Sequence, residues 1–168
     1  MKQSFICSVC GKKHSDLPLS YGADAPYYYD VIAVAEREQR AELTSDQCVI
    51  DGEHFFVRGC VEIPIIDSGG VFVWGVWVSL SENNFCRAQD LWLSPKRVNE
   101  PPYFGWLSTM LPCYPETLSL KTHVHTRAVG ERPFIEIEPS EHPLSLEQRN
   151  GITMFRVREI AERILHSA

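Results

Sequence analysis

The sequence predicts an α+β fold, a mainly antiparallel sheet carrying packed helices, with a zinc-knuckle-like segment at its start. Three observations predict it. Residues 54–63 and 71–80 are two runs of β-branched and aromatic residues, joined by the turn Asp67-Ser68-Gly69-Gly70. Apolar residues recur at helical spacing over 85–92 and 155–165, behind Ser81 and Thr153 as N-caps. Cys7-Ser8-Val9-Cys10-Gly11, with His14 close behind, has the paired thiols and the glycine of a metal-gripping turn.

Taken in order, Phe5-Ile6 reads as a short strand entering that turn. Residues 17–26 are punctuated by Pro18, Gly22 and Pro26 and read as irregular. Asp30 can cap a surface helix over 31–43, where Ala, Glu, Arg and Gln dominate. The strand pair 54–63 and 71–80 follows. In the second strand Phe72, Trp74, Val76 and Val78 alternate with Val73, Gly75 and Trp77, so both faces are apolar and the strand should be central.

Ser81 opens a helix that stops before Pro95. Residues 101–115, with four prolines and Gly105, read as a long loop holding Tyr103, Phe104, Trp106 and Tyr114, either as core cover or as a recognition surface. Two further strands are expected over 117–127 and 132–138. Pro143 suits a first helical turn closed by Asn150-Gly151, and the last helix should bury Phe155 together with Val157, Ile160, Ala161, Ile164 and Leu165.

At 168 residues, 44% of them hydrophobic, the chain suits a single domain over 1–168. Within it, residues 1–50 form a metal-pinned segment and residues 51–168 an α+β body. A net charge of −6 without a Lys/Arg cluster argues against nucleic acid as a partner. Residues 1–7 lack the apolar run of a secretory signal, and the apolar stretch 71–80 is far short of a membrane helix, so a cytoplasmic location is expected. In a reducing compartment the six cysteines should not pair as disulfides, and Cys86 and Cys113 read as small buried hydrophobes.

Cys7 and Cys10 therefore read as metal ligands, and a four-coordinate structural zinc needs two more. His14 is the third choice. Cys48, in the loop after the expected helix, is the fourth, with Cys60 and His54 in reserve. One structural zinc per chain is the cofactor expected. The rival reading, a thioredoxin-like redox pair, needs its CxxC at a helix N-terminus, whereas this one runs straight into Gly11.

Elsewhere, His123 and His125 share one face of a strand and lie near Glu136, Glu138, Glu141 and His142. That set has the donors for a small metal-assisted hydrolase, the alternative to a binding or interaction module with an unknown protein or small-molecule partner. The group His142-Pro143-Leu144 with Glu147-Gln148-Arg149 is either an anion site or the tie of a terminal helix. No Gly-rich phosphate loop and no Gly-x-Ser-x-Gly elbow is present.

Nearly the whole chain resembles a bacterial family, domain of unknown function 2199. The resemblance rests on Cys7-Ser8-Val9-Cys10-Gly11 with His14, on residues 45–51 and 55–60, and on Trp74-Gly75-Val76-Trp77. It extends through Tyr103-Phe104-Gly105-Trp106-Leu107 and the 142–152 segment. It implies a bacterial, cytoplasmic protein with the segment around Cys48 inside the family pattern. It implies no activity, substrate or partner.

Overall fold

The computed structural model describes residues 3–167. Its elements in chain order are β1 (Phe5–Ile6), β2 (Lys13–His14), β3 (Ser20–Gly22), α1 (Tyr27–Asp30), a 3-10 turn (Val34–Glu36), α2 (Arg37–Arg40), β4 (Ala41–Leu43) and β5 (Gln47–Ile50). The long strands β6 (His54–Pro64) and β7 (Val71–Leu80) follow, then α3 (Glu82–Asp90) and a second 3-10 turn (Pro95–Asn99). The chain ends with β8 (Tyr103–Leu107), β9 (Lys121–His125), β10 (Phe134–Ile137), α4 (Pro143–Asn150) and α5 (Met154–His166).

The fold is α+β, and the sheet is mainly antiparallel, made mixed by two parallel pairings, β3 with β7 and β10 with β6. β6 and β7 form the long antiparallel pair from Phe55↔Leu80 to Pro64↔Val71. β7 continues to β8, β8 to β9 and β9 to β10, all antiparallel. β10 then returns to β6 in parallel, at Phe134↔Cys60, and closes a five-stranded ring. The closure depends on Gly59: a Cβ there would lie 2.6 Å from Ile135 Cδ1 and 2.9 Å from the Pro133 carbonyl. Only a residue without a side chain lets β10 approach so closely.

β6 can serve two neighbours because its first half, Phe55 to Val57, pairs with β5 before Cys60 meets β10. β3 likewise runs parallel to β7 at Val73 to Gly75, on the edge that β8 takes over at Val78. Residues 20–50 are thus built into the main sheet through β3, β4 and β5, and β1 with β2 forms a separate two-stranded unit.

β7 is covered on both faces, as its two apolar faces require. Phe72, Trp74, Val76 and Val78 belong to the main core with Val61, Ile63, Leu107, Ile135 and Ile137, roofed by Leu144 of α4 and Val157, Ile160 and Ala161 of α5. Trp77 faces the other way into a second cluster with Ile32, Cys48, Ile50 and Phe56. Its indole N–H donates to the Ala23 carbonyl at 3.0 Å.

The helix expected over 31–43 does not form. Ala33 is extended, which separates the single turn α1 from the 3-10 turn and α2, and residues 41–43 leave the helical region to pair with β5. Helix propensity, worth tenths of a kcal/mol per residue, loses to seating Ile32 beside Trp77 and to the β4–β5 ladder. The aromatic segment also differs from expectation, since residues 103–107 are strand β8. Tyr103, Gly105 and Leu107 point inward, while Phe104 and Trp106 are 41% and 44% exposed. The two later strands are shorter than expected.

Ser81 caps α3 by accepting from the Asn84 N–H, and Thr153 caps α5 from Arg156. Phe155 stays in solvent at 70% exposure instead of reaching the core.

Candidate metal centre

The β1–β2 hairpin exists to present a turn. Phe5 pairs with His14 and Ile6 with Lys13, leaving residues 7–12 as the loop. Inside it the Cys7 N–H donates to the Lys12 carbonyl and the Gly11 N–H to the Cys7 carbonyl, both at 2.9 Å. Gly11 takes a φ of 69°, the left-handed conformation that suits glycine. Cys7 is turned into the main core and fully buried, whereas Cys10 is exposed. The His14 ring stacks on Phe5 with centroids 5.2 Å apart, which fixes its orientation.

The fourth donor comes from the other end of the chain. The last turn of α5 carries His166, whose Nε2 lies 3.2 Å from Cys7 Sγ, while His14 Nε2 lies 3.5 Å from Cys10 Sγ. The ligand atoms of Cys7, Cys10, His14 and His166 all lie within 4.8 Å of one another. A tetrahedral zinc with ordinary Zn–S and Zn–N bonds sets an S···N edge of about 3.5 Å, near these two S···N separations, so the donor types and these two distances are compatible with a metal of that kind. One turn earlier on the same helix, Glu162 grips the hairpin: Ser8 donates its backbone N–H at 2.7 Å and its hydroxyl at 2.6 Å to the two carboxylate oxygens. These bonds, aided by the nearby imidazoles, hold the Glu162 carboxyl below its usual range.

The donor cluster contains Cys7, Cys10 and His14 from the expected set, and His166 in place of Cys48. Cys48 lies on β5 in the cluster around Trp77, fully buried, where loss of solvation pushes its thiol up to about 11. It is a packing residue because β5 is a sheet strand and not the returning loop that its neighbours suggested. Cys60 is half-buried in mid-β6, also with its thiol raised by burial, and His54 is exposed at the start of that strand. Cys86 is exposed on α3 and Cys113 is half-buried, so neither is the fully buried residue expected.

His166 carried no signal in the sequence. It stands 159 positions from Cys7, and no spacing motif spans such a distance. Only the unfilled fourth position of the Cys7/Cys10/His14 set pointed to a distant partner.

His123 and His125 project from one side of β9, as their spacing requires, and each faces its own carboxylate. His125 Nε2 lies 3.0 Å from Glu136 and His123 Nε2 lies 3.5 Å from Glu138, across the β9–β10 ladder. No second set of three or more His, Cys, Asp or Glu converges on a common point among the described residues. The 142–151 group is a tie. His142 caps α4 by accepting from the Leu144 N–H. Gln148 accepts from the Ile137 N–H and donates to the Ile135 carbonyl, and Arg149 donates to the Ile137 carbonyl, so α4 satisfies backbone groups of β10.

A further polar chain anchors the segment before β9. The Trp74 indole donates to the Tyr114 hydroxyl at 3.1 Å, and Tyr114 donates to Glu147, which also accepts from Arg156 at 2.7 Å. Burial, together with the hydrogen bond to Glu147 and its charge, raises the Tyr114 phenol far above its ordinary value.

These features define an α+β protein with a barrel-like mixed sheet and a Cys2His2 donor cluster joining its first hairpin to its last helix. The chain belongs to the family described as an uncharacterized protein conserved in bacteria (DUF2199), whose model matches residues 6–152. Cys7, Cys10 and His14 fall within the matched span and His166 beyond it. Neither a curated protein nor a solved structure matches the chain. No helix among the described residues is long and apolar enough to cross a membrane.

Proposed function

We propose that this is a cytoplasmic binding protein whose fold is completed by one structural zinc, held by Cys7, Cys10, His14 and His166. The observation that carries the reading is the convergence of two thiols and two imidazoles within 4.8 Å of one another. Four protein donors leave no open position for water, so such an ion holds structure and does not catalyse. Thiol donors also suit a reducing compartment. The partner is a small molecule or a protein; the net charge of −6 disfavours nucleic acid.

The test is metal analysis of the purified chain beside its His166→Ala and Cys10→Ser variants. The expected result is one zinc per wild-type chain that survives dialysis, tetrahedral absorption bands on cobalt substitution, and loss of tight binding in both variants. A wild-type chain that retains no zinc, or a His166→Ala variant that binds zinc as tightly as wild type, overturns this ligand set.

A further inference from the structure

A cavity of about 770 Å³, within the size range of small-molecule sites, is lined by three parts of the chain. They are the α1 segment through Tyr28 and Val31, the β5–β6 turn through Glu53, and the end of β8 through Trp106 and Ser108.

These walls are fixed to one another. The Tyr27 N–H donates to the Ser108 carbonyl at 2.9 Å and the Ser108 N–H to the Trp77 carbonyl at 2.8 Å. The Tyr28 ring stacks on buried Phe56 with centroids 5.9 Å apart, and Trp106 meets the Phe104 ring edge-on at 5.1 Å. Each ring is braced by a neighbour, yet both stay about half-exposed on the cavity.

Their faces lack the cation that other aromatic rings of the molecule carry. Arg58 lies over Trp77, Arg97 over Trp92, Arg37 over Tyr29 and Arg156 over Tyr114, while Trp74 is fully buried. Among the described residues no guanidinium lies over Tyr28 or Trp106. Arg40, the one basic Lys or Arg of the lining, is held by Asp51 through bonds of 3.0 and 2.8 Å. Glu53 forms no ion pair among the described residues. With His54 neutral, the lining therefore has one unmatched charge, and it is negative.

An aromatic face attracts a cation through its quadrupole, most strongly where water is partly excluded. A positive charge spread over methyl groups also suits the apolar Val31, Ile32 and Ile50 beside these rings. An anion would meet Glu53 with no free guanidinium to offset it.

We propose that this cavity binds a small molecule bearing an alkylated ammonium group, its head against Trp106 and Tyr28 and its charge answered by Glu53. The proposal rests on the reading of a binding protein, names its ligand class and is independent of the metal.

The test is a titration of the 5-fluorotryptophan-labelled chain with choline and with its neutral isostere 3,3-dimethylbutan-1-ol, following the four tryptophan ¹⁹F signals. It is run at constant ionic strength and pH 8, where an ordinary imidazole is neutral. Choline should shift the Trp106 signal saturably and bind about tenfold tighter than the alcohol, the worth of a cation–π contact. Tyr28→Leu should weaken choline about fivefold and the alcohol less than about twofold. Glu53→Gln, on an exposed turn, should weaken choline about threefold and leave the alcohol unchanged. Unchanged Trp74 and Trp92 signals show that each variant keeps its fold. Equal affinity for the two probes overturns the ammonium site while leaving a binding protein. Choline binding that Tyr28→Leu does not weaken overturns its place against these rings. Failure of both probes to shift Trp106 overturns the cavity as a binding site, and the zinc content, measured separately, still decides the metal reading.

Discussion

The hairpin of residues 5–14 and the five-stranded ring are held by different physics. The hairpin buries Phe5 and Cys7 and leaves Ile6 and Val9 in solvent. Its attachments are the Ser8–Glu162 bonds and the four converging donors. The ring buries its central strand on both faces, with ten consecutive pairs joining β6 to β7. A hairpin of this size buries little apolar surface beyond Phe5 and Cys7, so the proposed zinc would supply much of its anchorage. On the proposed reading, metal and core are alternative means of fixing a segment, and each should fail in its own way.

The largest expected effect comes from cutting the ring's packing. Trp77 is fully buried between the sheet and residues 23–50, and its indole bonds the Ala23 carbonyl. Trp77→Ala should cost about 3–5 kcal/mol of global stability, with all probes unfolding together, as measured by urea denaturation. If instead β4 and β5 alone lost protection while the ring stayed native, the second cluster would be an independent unit and the comparison would need redrawing.

Removing the proposed zinc should do the opposite. With a strong chelator, amides of residues 5–14 and of the last turn of α5 should lose hydrogen-exchange protection, while β6 and β7 keep theirs. Exchange measured by mass spectrometry distinguishes this local opening from global unfolding. Loss of protection throughout β6 and β7 would mean that the donor cluster supports the ring as well.

The ring was more legible in the sequence than the hairpin's anchor. The 54–80 strand pair, the caps Ser81 and Thr153, and the central place of β7 all follow from local pattern. The helix expected over 31–43 misled because composition speaks for propensity, while Ile32 and residues 41–43 answer to contacts far along the chain. β8 was hidden because Gly105 and the flanking prolines resemble a loop, although its alternation of inward and outward residues was present. Half of the donor cluster could be read from Cys7 and Cys10, and His14 followed from its proximity. His166 could not, since only the folding of α5 against the first hairpin brings it near. Cys48 stands where the sequence suggests a returning loop, but β5 carries it into the cluster around Trp77.

The smallest expected effect belongs to a contact of neither kind, the surface pair that ties the β4–β5 turn to the loop before β10. Partial burial pushes the Asp46 carboxyl upward, but hydrogen bonds from Arg132 and Ser45 and the charges of Arg132 and Arg58 outweigh it, so the group titrates below its ordinary value. A carboxyl depressed in the folded state contributes stability above its unfolded pKa, near 4, and loses it as pH falls through the folded value. With both partners partly in solvent, the pair should be worth about 0.5 kcal/mol at neutral pH. Arg132→Gln should therefore destabilise the chain by about that amount at pH 7 and progressively less below pH 4. The measurement is the difference between variant and wild type at each pH, in which every acid-induced loss common to both cancels. A difference that persists undiminished at pH 3 would assign Arg132's contribution to packing of its aliphatic stem instead of to charge.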